Sequence, residues 1–166
     1  MSRTIVVIAH NIRSTHNVGS LLRTAEGLGV ATVFLTGYTP YPEMPKDQRL
    51  PHISTKITKD IQKTALGAEK LQKWVQNADI RTVIHRLKKQ GYTIYALEQT
   101  IDAVRLPGIQ KADKCAILLG SEVTGIADEL LKESDIRMVI PMYGKKESFN
   151  VIQATAMALY EFRFFD

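Results

Sequence analysis

The stretch Ile5-Val6-Val7-Ile8-Ala9 is an unbroken apolar run, four of its five residues β-branched. Such a run, with no polar residue to turn toward water, marks a strand buried on both faces. It is too short for a signal peptide or a membrane span. Moving outward, apolar residues recur at Val18, Leu21, Leu22, Ala25 and Leu28, which is helical spacing. Asn17 is the expected N-cap of that helix, and Gly27 and Gly29 end it. Thr32 to Thr36 then reads as a second strand.

The strand–helix alternation continues along the chain. Gly37 to His52 holds Pro40, Pro42, Pro45 and Pro51 and reads as a long surface loop, a common place for function. Residues 60–70 are weakly helical, Trp74-Val75 is a short strand, and 79–90 is a basic amphipathic helix closed by Gly91. Strands follow at 92–97, 115–119 and 136–140, with helices at 127–134 and 150–165. Buried-type strands alternating with helices predict one α/β domain over residues 1–166, with a mostly parallel sheet flanked by helices.

Composition narrows the class. The 166 residues are 45% apolar, which excludes disorder, and that length buries a core without disulfide or metal staples. The lone cysteine, Cys115, excludes a disulfide framework and suits a reducing cytosol. A net charge of +5 shifts expectation mildly toward an anionic partner. A cytoplasmic protein with no membrane association is the expectation.

The common nucleotide fingerprints fail. Gly27-Leu28-Gly29 closes a helix instead of opening one, and Thr32 stands where a dinucleotide site needs its third glycine. Gly120 to Gly125 has P-loop spacing, yet Ile126-Ala127 replaces the required Lys-Ser/Thr. His10 and His16 lack a matching Cys or acidic set, so no metal site is expected. The hydrolase pattern G-x-S-x-G is absent.

Three other segments carry chemistry. In Asn17-Val18-Gly19-Ser20-Leu21-Leu22-Arg23, Gly19 and Arg23 lie one turn apart on one helix face. Arg23 is expected to lean over the bare Gly19 toward Asn17 and the positive helix end, which suits an anion. In Leu119-Gly120-Ser121-Glu122-Val123-Thr124-Gly125 a strand runs into a glycine-bracketed acid at its carboxyl end, where open α/β sheets bind ligands. Gly120 is expected to let a ligand approach the backbone. In Ile140-Pro141-Met142 through Lys145-Lys146 to Ser148-Phe149-Asn150, Pro141 ends a strand and Ser148 or Asn150 caps the last helix. Capping explains one of that pair and leaves the other for chemistry.

In this order and spacing the three segments resemble the motifs of the SpoU (TrmH) branch of the SPOUT RNA ribose 2′-O-methyltransferases, from about Asn11 to the C-terminus. Lys63 to Glu69 also looks like a segment of that branch, and Phe149 departs conservatively from its usual Leu or Met. The resemblance implies a C-terminal deep trefoil knot, a fold feature otherwise nearly absent from proteins. It implies S-adenosyl-L-methionine as cofactor, held by Leu97, Leu119, Gly120, Glu122, Ile140, Met142, Ser148 and Phe149, without metal. It implies methylation of a ribose 2′-hydroxyl by Arg23, Asn17, Glu122, Ser148 and Asn150. Arginine stays protonated at any working pH, so Arg23 is read as a stabiliser of negative charge and a phosphate anchor ahead of a literal base.

Transfer RNA is favoured over ribosomal RNA as substrate, with Arg13, Arg23, Lys145 and Lys146 as RNA contacts. No accessory RNA-binding domain is expected, so RNA would be read by the domain itself, by a homodimer or with an accessory protein. The dimer expectation follows from Tyr160, Phe162, Phe164 and Phe165, which cannot all face one core. Two alternatives stay open: an inactive RNA-binding or assembly protein of the same fold, and an S-adenosylmethionine enzyme acting on a base or small molecule.

Overall fold

The computed structural model describes residues 3–166. In chain order its elements are β1 (Thr4–His10), α1 (Thr15–Gly27), β2 (Thr32–Thr36), α2 (Pro51–Ala65), α3 (Ala68–Leu71), β3 (Trp74–Asn77) and α4 (Ile80–Lys89). β4 (Thr93–Leu97), β5 (Val104–Arg105), β6 (Lys114–Leu119), α5 (Asp128–Glu133), β7 (Ile136–Val139) and α6 (Val151–Phe164) complete the chain. The strands form one sheet in the order β3-β2-β1-β6-β4-β7-β5, and every neighbouring pair is parallel.

The apolar run that opened the sequence lies near the middle of this sheet. Because side chains alternate along a strand, Ile5, Val7 and Ala9 enter one core and Val6 and Ile8 the other. The first core is closed by α1, α2 and α6 through residues such as Leu21, Ile61 and Phe162. The second is closed by α4 and α5 through Val83, Ile84, Leu87 and Leu130. Such burial is worth roughly 25 cal/mol per Å² of apolar surface, which makes the central strands the stable frame.

Several boundaries differ from expectation. The first helix starts three residues earlier, and Ser14 is its cap, its hydroxyl accepting the Asn17 N–H at 3.2 Å. Asn17 therefore sits inside the first turn. The expected surface loop ends at Leu50, because α2 begins with Pro51 in the first turn, where a missing N–H costs nothing. Only Ser54, Ile61 and Ala65 of α2 are buried, so its apolar stripe is too thin to read in sequence. The helix stops at Leu66, in the left-handed region at φ 50°, and the expected helix over 60–70 is broken there.

The loop ahead of α2 is tied down by Arg49. Its guanidinium bonds the Asp47 carboxylate, donates to Tyr41 O at 2.9 Å and lies 3.7 Å from the Tyr41 ring centre. β5 has only two residues and no period to betray it; it adds to the sheet edge beyond β7.

Close helix packing decides one glycine. A Cβ on Gly19 would collide with Ile61 O and Thr64 Oγ1 of α2. Gly19 is bare because a neighbouring helix lies on it, so the expected perch for Arg23 does not exist. Thr64 fastens the same contact by donating to His16 O at 2.8 Å.

Candidate functional site

Parallel strands bring their carboxyl ends to one edge of the sheet, and ligands of open α/β sheets bind outside that edge. Here the loops after β4, β6 and β7 and the start of α6 enclose a cleft of about 580 Å³. Its floor is Gly120, at the end of buried β6.

From Gly120 the chain turns sharply. Ser121 and Gly125 exchange backbone hydrogen bonds of 2.9 and 3.1 Å, closing a tight loop that carries Glu122 at its tip. A Cβ on Gly120 would strike Gly125 C and O and Ile126 N. The space expected for a ligand is thus taken by the chain's own returning backbone. Gly125 has φ 66°, and a side chain there would meet the Glu98 carboxylate. Glu98 in turn accepts the Ile126 N–H at 2.7 Å and the Gln99 N–H at 2.9 Å, which pins the turn onto the end of β4.

Glu122 reaches away from this turn to the start of α1. Its carboxylate accepts from Arg13 N at 2.9 Å, Ser14 N at 3.3 Å and the Asn17 amide at 2.8 Å. Partial burial pushes the Glu122 carboxyl upward, but the Arg13 N–H, the Asn17 amide and the Ser14 N–H outweigh burial. They hold it below its ordinary value of 4.5. Asn17 Oδ1 accepts from the Asn150 amide at 3.4 Å, while Asn150 Oδ1 caps α6 by accepting Ile152 N at 2.9 Å. Motif segments separated by more than a hundred residues thereby share one polar network.

Of the expected cofactor residues, Leu97, Gly120, Glu122, Ile140, Ser148 and Phe149 line the cleft together with Asn150. Leu119 is fully buried among core residues, and Met142 is half-buried outside the lining. A groove of about 330 Å³ adjoins, lined by Asn17, Ser20, Thr24 and Gln153, and Asn150 borders both spaces. Asn150 takes the capping role, which leaves Ser148 exposed on the cleft wall.

The expected RNA contacts Arg13, Lys145 and Lys146 are exposed. Arg23 is exposed too, lines neither space, and has no hydrogen bond or ion pair among the described residues. It therefore does not reach Asn17, contrary to expectation.

Sequence reasoning missed Glu98, which lines the cleft beside Leu97. The cue that singled out Glu122, an acid just past a buried strand, applied to it equally. His10, half-buried with its ring Nδ1 2.9 Å from Thr36 Oγ1, is held below its ordinary pKa by burial. Among the described residues no three His, Cys, Asp or Glu side chains gather as a metal cluster. No helix among them is long and apolar enough to cross a membrane.

A wholly parallel sheet whose strand ends, glycine turn and asparagine–glutamate network wall a cleft defines an α/β protein with a candidate ligand site at the carboxyl edge of its sheet. Residues 4–160 match the SpoU rRNA Methylase family, and the chain belongs to it. It is 26% identical over 162 residues to a tRNA (guanosine(18)-2′-O)-methyltransferase of Aquifex aeolicus, across 96% of this chain and 68% of that one. It is 30% identical over 163 residues to the 23S rRNA (guanosine-2′-O-)-methyltransferase RlmB of Acinetobacter baylyi, across 96% of this chain and 59% of that one. An AdoMet-bound rRNA methyltransferase from Sinorhizobium meliloti shares the fold, with a TM-score of 0.79 at 22% identity, over 98% of this chain and 56% of that chain. The chain thus spans between about half and two thirds of the length of these proteins.

Proposed function

We propose that the chain methylates a ribose 2′-hydroxyl of RNA, tRNA ahead of rRNA, using S-adenosyl-L-methionine. The observation that carries this reading is the Glu122–Asn17–Asn150 network, which joins all three motif segments where the cleft meets its neighbouring groove. The cleft fits the cofactor: about 580 Å³ lies within the range of roughly 300–1,000 Å³ for small-molecule sites. Its lining joins apolar Leu97, Ile140 and Phe149 to a turn rich in backbone donors and acceptors, as an adenosine compound needs.

Bound S-adenosylmethionine supplies an electrophilic methyl group on a sulfonium sulfur. The chain's residues do the rest. Glu122 and Glu98 hold the turn over 120–126 rigid from its two sides, so the cleft is formed before binding. Asn150 stands where the cleft meets the groove and Ser148 on the cleft wall, within reach of an incoming ribose. Arg23, unpartnered and exposed, meets the RNA from outside the cleft. Its permanent positive charge anchors phosphate, and its exposed arm, turned toward the cleft mouth by the bound RNA, steadies the oxygen as its proton leaves to water or an RNA phosphate. Arg13, Lys145 and Lys146 extend that attraction along the RNA.

The same reading includes a C-terminal trefoil knot, a homodimer and a cytoplasmic location. In support of the knot, the connection from β4 to β6 runs out past β7 to form β5. It then returns with Leu106 and Ile109 in the core that α6 occupies, which sets that connection beside the final segment, as a knot requires. In support of the dimer, Phe162 fills the core against Tyr95, whereas outside it the Tyr160 ring packs at a tilt against both Phe164 and Phe165. These three are 50–61% exposed, and with Met157 they form an apolar strip along α6.

Incubation with methyl-labelled S-adenosylmethionine and unmodified tRNA, followed by nucleoside mass spectrometry, tests the activity. A 2′-O-methylated nucleoside is expected. Label on a base, or no label despite bound cofactor, overturns the reading.

A further inference from the structure

The cleft has an unusual charge balance. Its lining includes two carboxylates, Glu98 and Glu122, and no lysine or arginine, although the chain carries 22 of these cations. Neither carboxylate is in an ion pair among the described residues.

The two acids differ in how their charge is met. Glu122 spreads its charge over three N–H donors at the start of α1, where the helix dipole adds partial positive charge. Glu98 has the N–H groups of Ile126 and Gln99 alone, and it is half-buried. A partly desolvated anion without a counter-charge is costly, and a cationic ligand beside it relieves that cost.

We infer that Glu98 makes the cleft select by charge, favouring S-adenosylmethionine over S-adenosylhomocysteine. This rests on the cofactor reading above. S-adenosylmethionine carries one net positive charge at neutral pH, from its sulfonium. Its thioether product is neutral and differs by one methyl group. A tight pocket discriminates by shape against a missing methyl group by about 10- to 200-fold, and charge adds to whatever shape supplies. A fixed anion attracts the cationic cofactor and loses that attraction when the methyl group leaves, so the product is released more readily than the substrate.

Calorimetry on the full chain tests this with S-adenosylmethionine, S-adenosylhomocysteine and sinefungin, whose ammonium replaces the sulfonium. Glu98→Gln removes the charge at nearly the same size, but its one amide oxygen accepts only one of the two N–H bonds, so the difference between ligands is the readout. The variant is expected to weaken S-adenosylmethionine and sinefungin about three- to tenfold more than S-adenosylhomocysteine, as loss of one partly screened charge would. Glu98→Asp keeps the charge and is expected to preserve the wild-type affinity ratio even where all three bind less well. In the wild type, raising the ionic strength from about 0.05 to 1 M is expected to shrink the ratio. Equal losses for all three ligands in Glu98→Gln would make Glu98 a support of the turn only and overturn the inference. A wild-type ratio that salt does not move would do the same. Binding of none of the three to the wild type would instead overturn the cofactor reading itself.

Discussion

The Asn17 side-chain amide donates to Glu122 Oε1 at 2.8 Å, across 105 residues of chain. With the N–H groups of Arg13 and Ser14 on the same carboxylate, this bond clamps the start of α1 to the turn after β6. Glu122 thus acts through position: its lone pairs are occupied by three donors, which leaves it poorly suited to take a proton from substrate.

Glu122→Ala strands those three donors. All three bonds are exposed and water replaces them in part, so a fall of about 0.5–1.5 kcal/mol in unfolding free energy is expected, with cofactor affinity at least about tenfold weaker. Urea denaturation and calorimetry measure the two effects. Glu122→Gln gives a pH signature as well. The folded protein holds the Glu122 carboxyl below 4.5, so its contribution to stability is present above that pH and lost as pH falls through the lowered value. The wild type should lose stability more steeply on acidification below about pH 4.5 than Glu122→Gln does.

Gly120→Ala tests why glycine is needed there. Its methyl group would meet the backbone of Gly125 and Ile126, so the 121–125 turn has to move. Cofactor affinity should drop at least about tenfold while β6, buried from both faces, keeps the sheet folded. Gly125→Ala should be worse, since it adds a left-handed φ to a clash with Glu98, a strain of about 1–3 kcal/mol. Cofactor titration alongside thermal melts separates these effects. Wild-type affinity in Gly120→Ala would count against the turn as part of the site.

Arg23→Ala is expected to lower methyl transfer about 10²- to 10³-fold, as loss of one stabilising donor does. Cofactor affinity should stay within a few-fold, because Arg23 does not line the cleft. Stability should change by less than about 0.5 kcal/mol, since an exposed, unpartnered side chain is removed. Arg23→Lys should not restore the rate, as a point charge lacks the guanidinium fork. Near-normal single-turnover rates in Arg23→Ala would remove it from the mechanism.

The strip on α6 predicts the assembly. Tyr160→Glu combined with Phe164→Glu places charges on its exposed aromatics without touching Phe162 in the core. Sedimentation should show a wild-type dimer and a folded monomeric variant at micromolar concentration. A wild-type monomer that still methylates RNA would refute the dimer.

Local rules made most elements legible. β1, β2, β4, β6 and β7 showed as buried runs, and α4 and α6 as amphipathic segments with recognisable ends at Gly91 and Asn150. Both cues are short-range, a period of 2 or 3.6 and a cap, so they survive in a bare sequence. α2 and β5 left no such trace. The helix buries few residues, and the two-residue strand exists only because β7 lies beside it.

By itself the sequence determined the α/β class, the strands that fill the core and the three segments that meet in one polar network. Tertiary structure alone decided what each of those residues touches. Gly19 is bare for α2, Gly120 for its own returning chain, Asn150 caps while Ser148 is left exposed, and Arg23 stands apart from Asn17. Those outcomes turn on contacts between residues far apart in the chain, such as Glu98 with Ile126 and Asn17 with Glu122. No periodicity encodes a distance across the fold; the parallel sheet sets it, by carrying every loop of the site to the same edge.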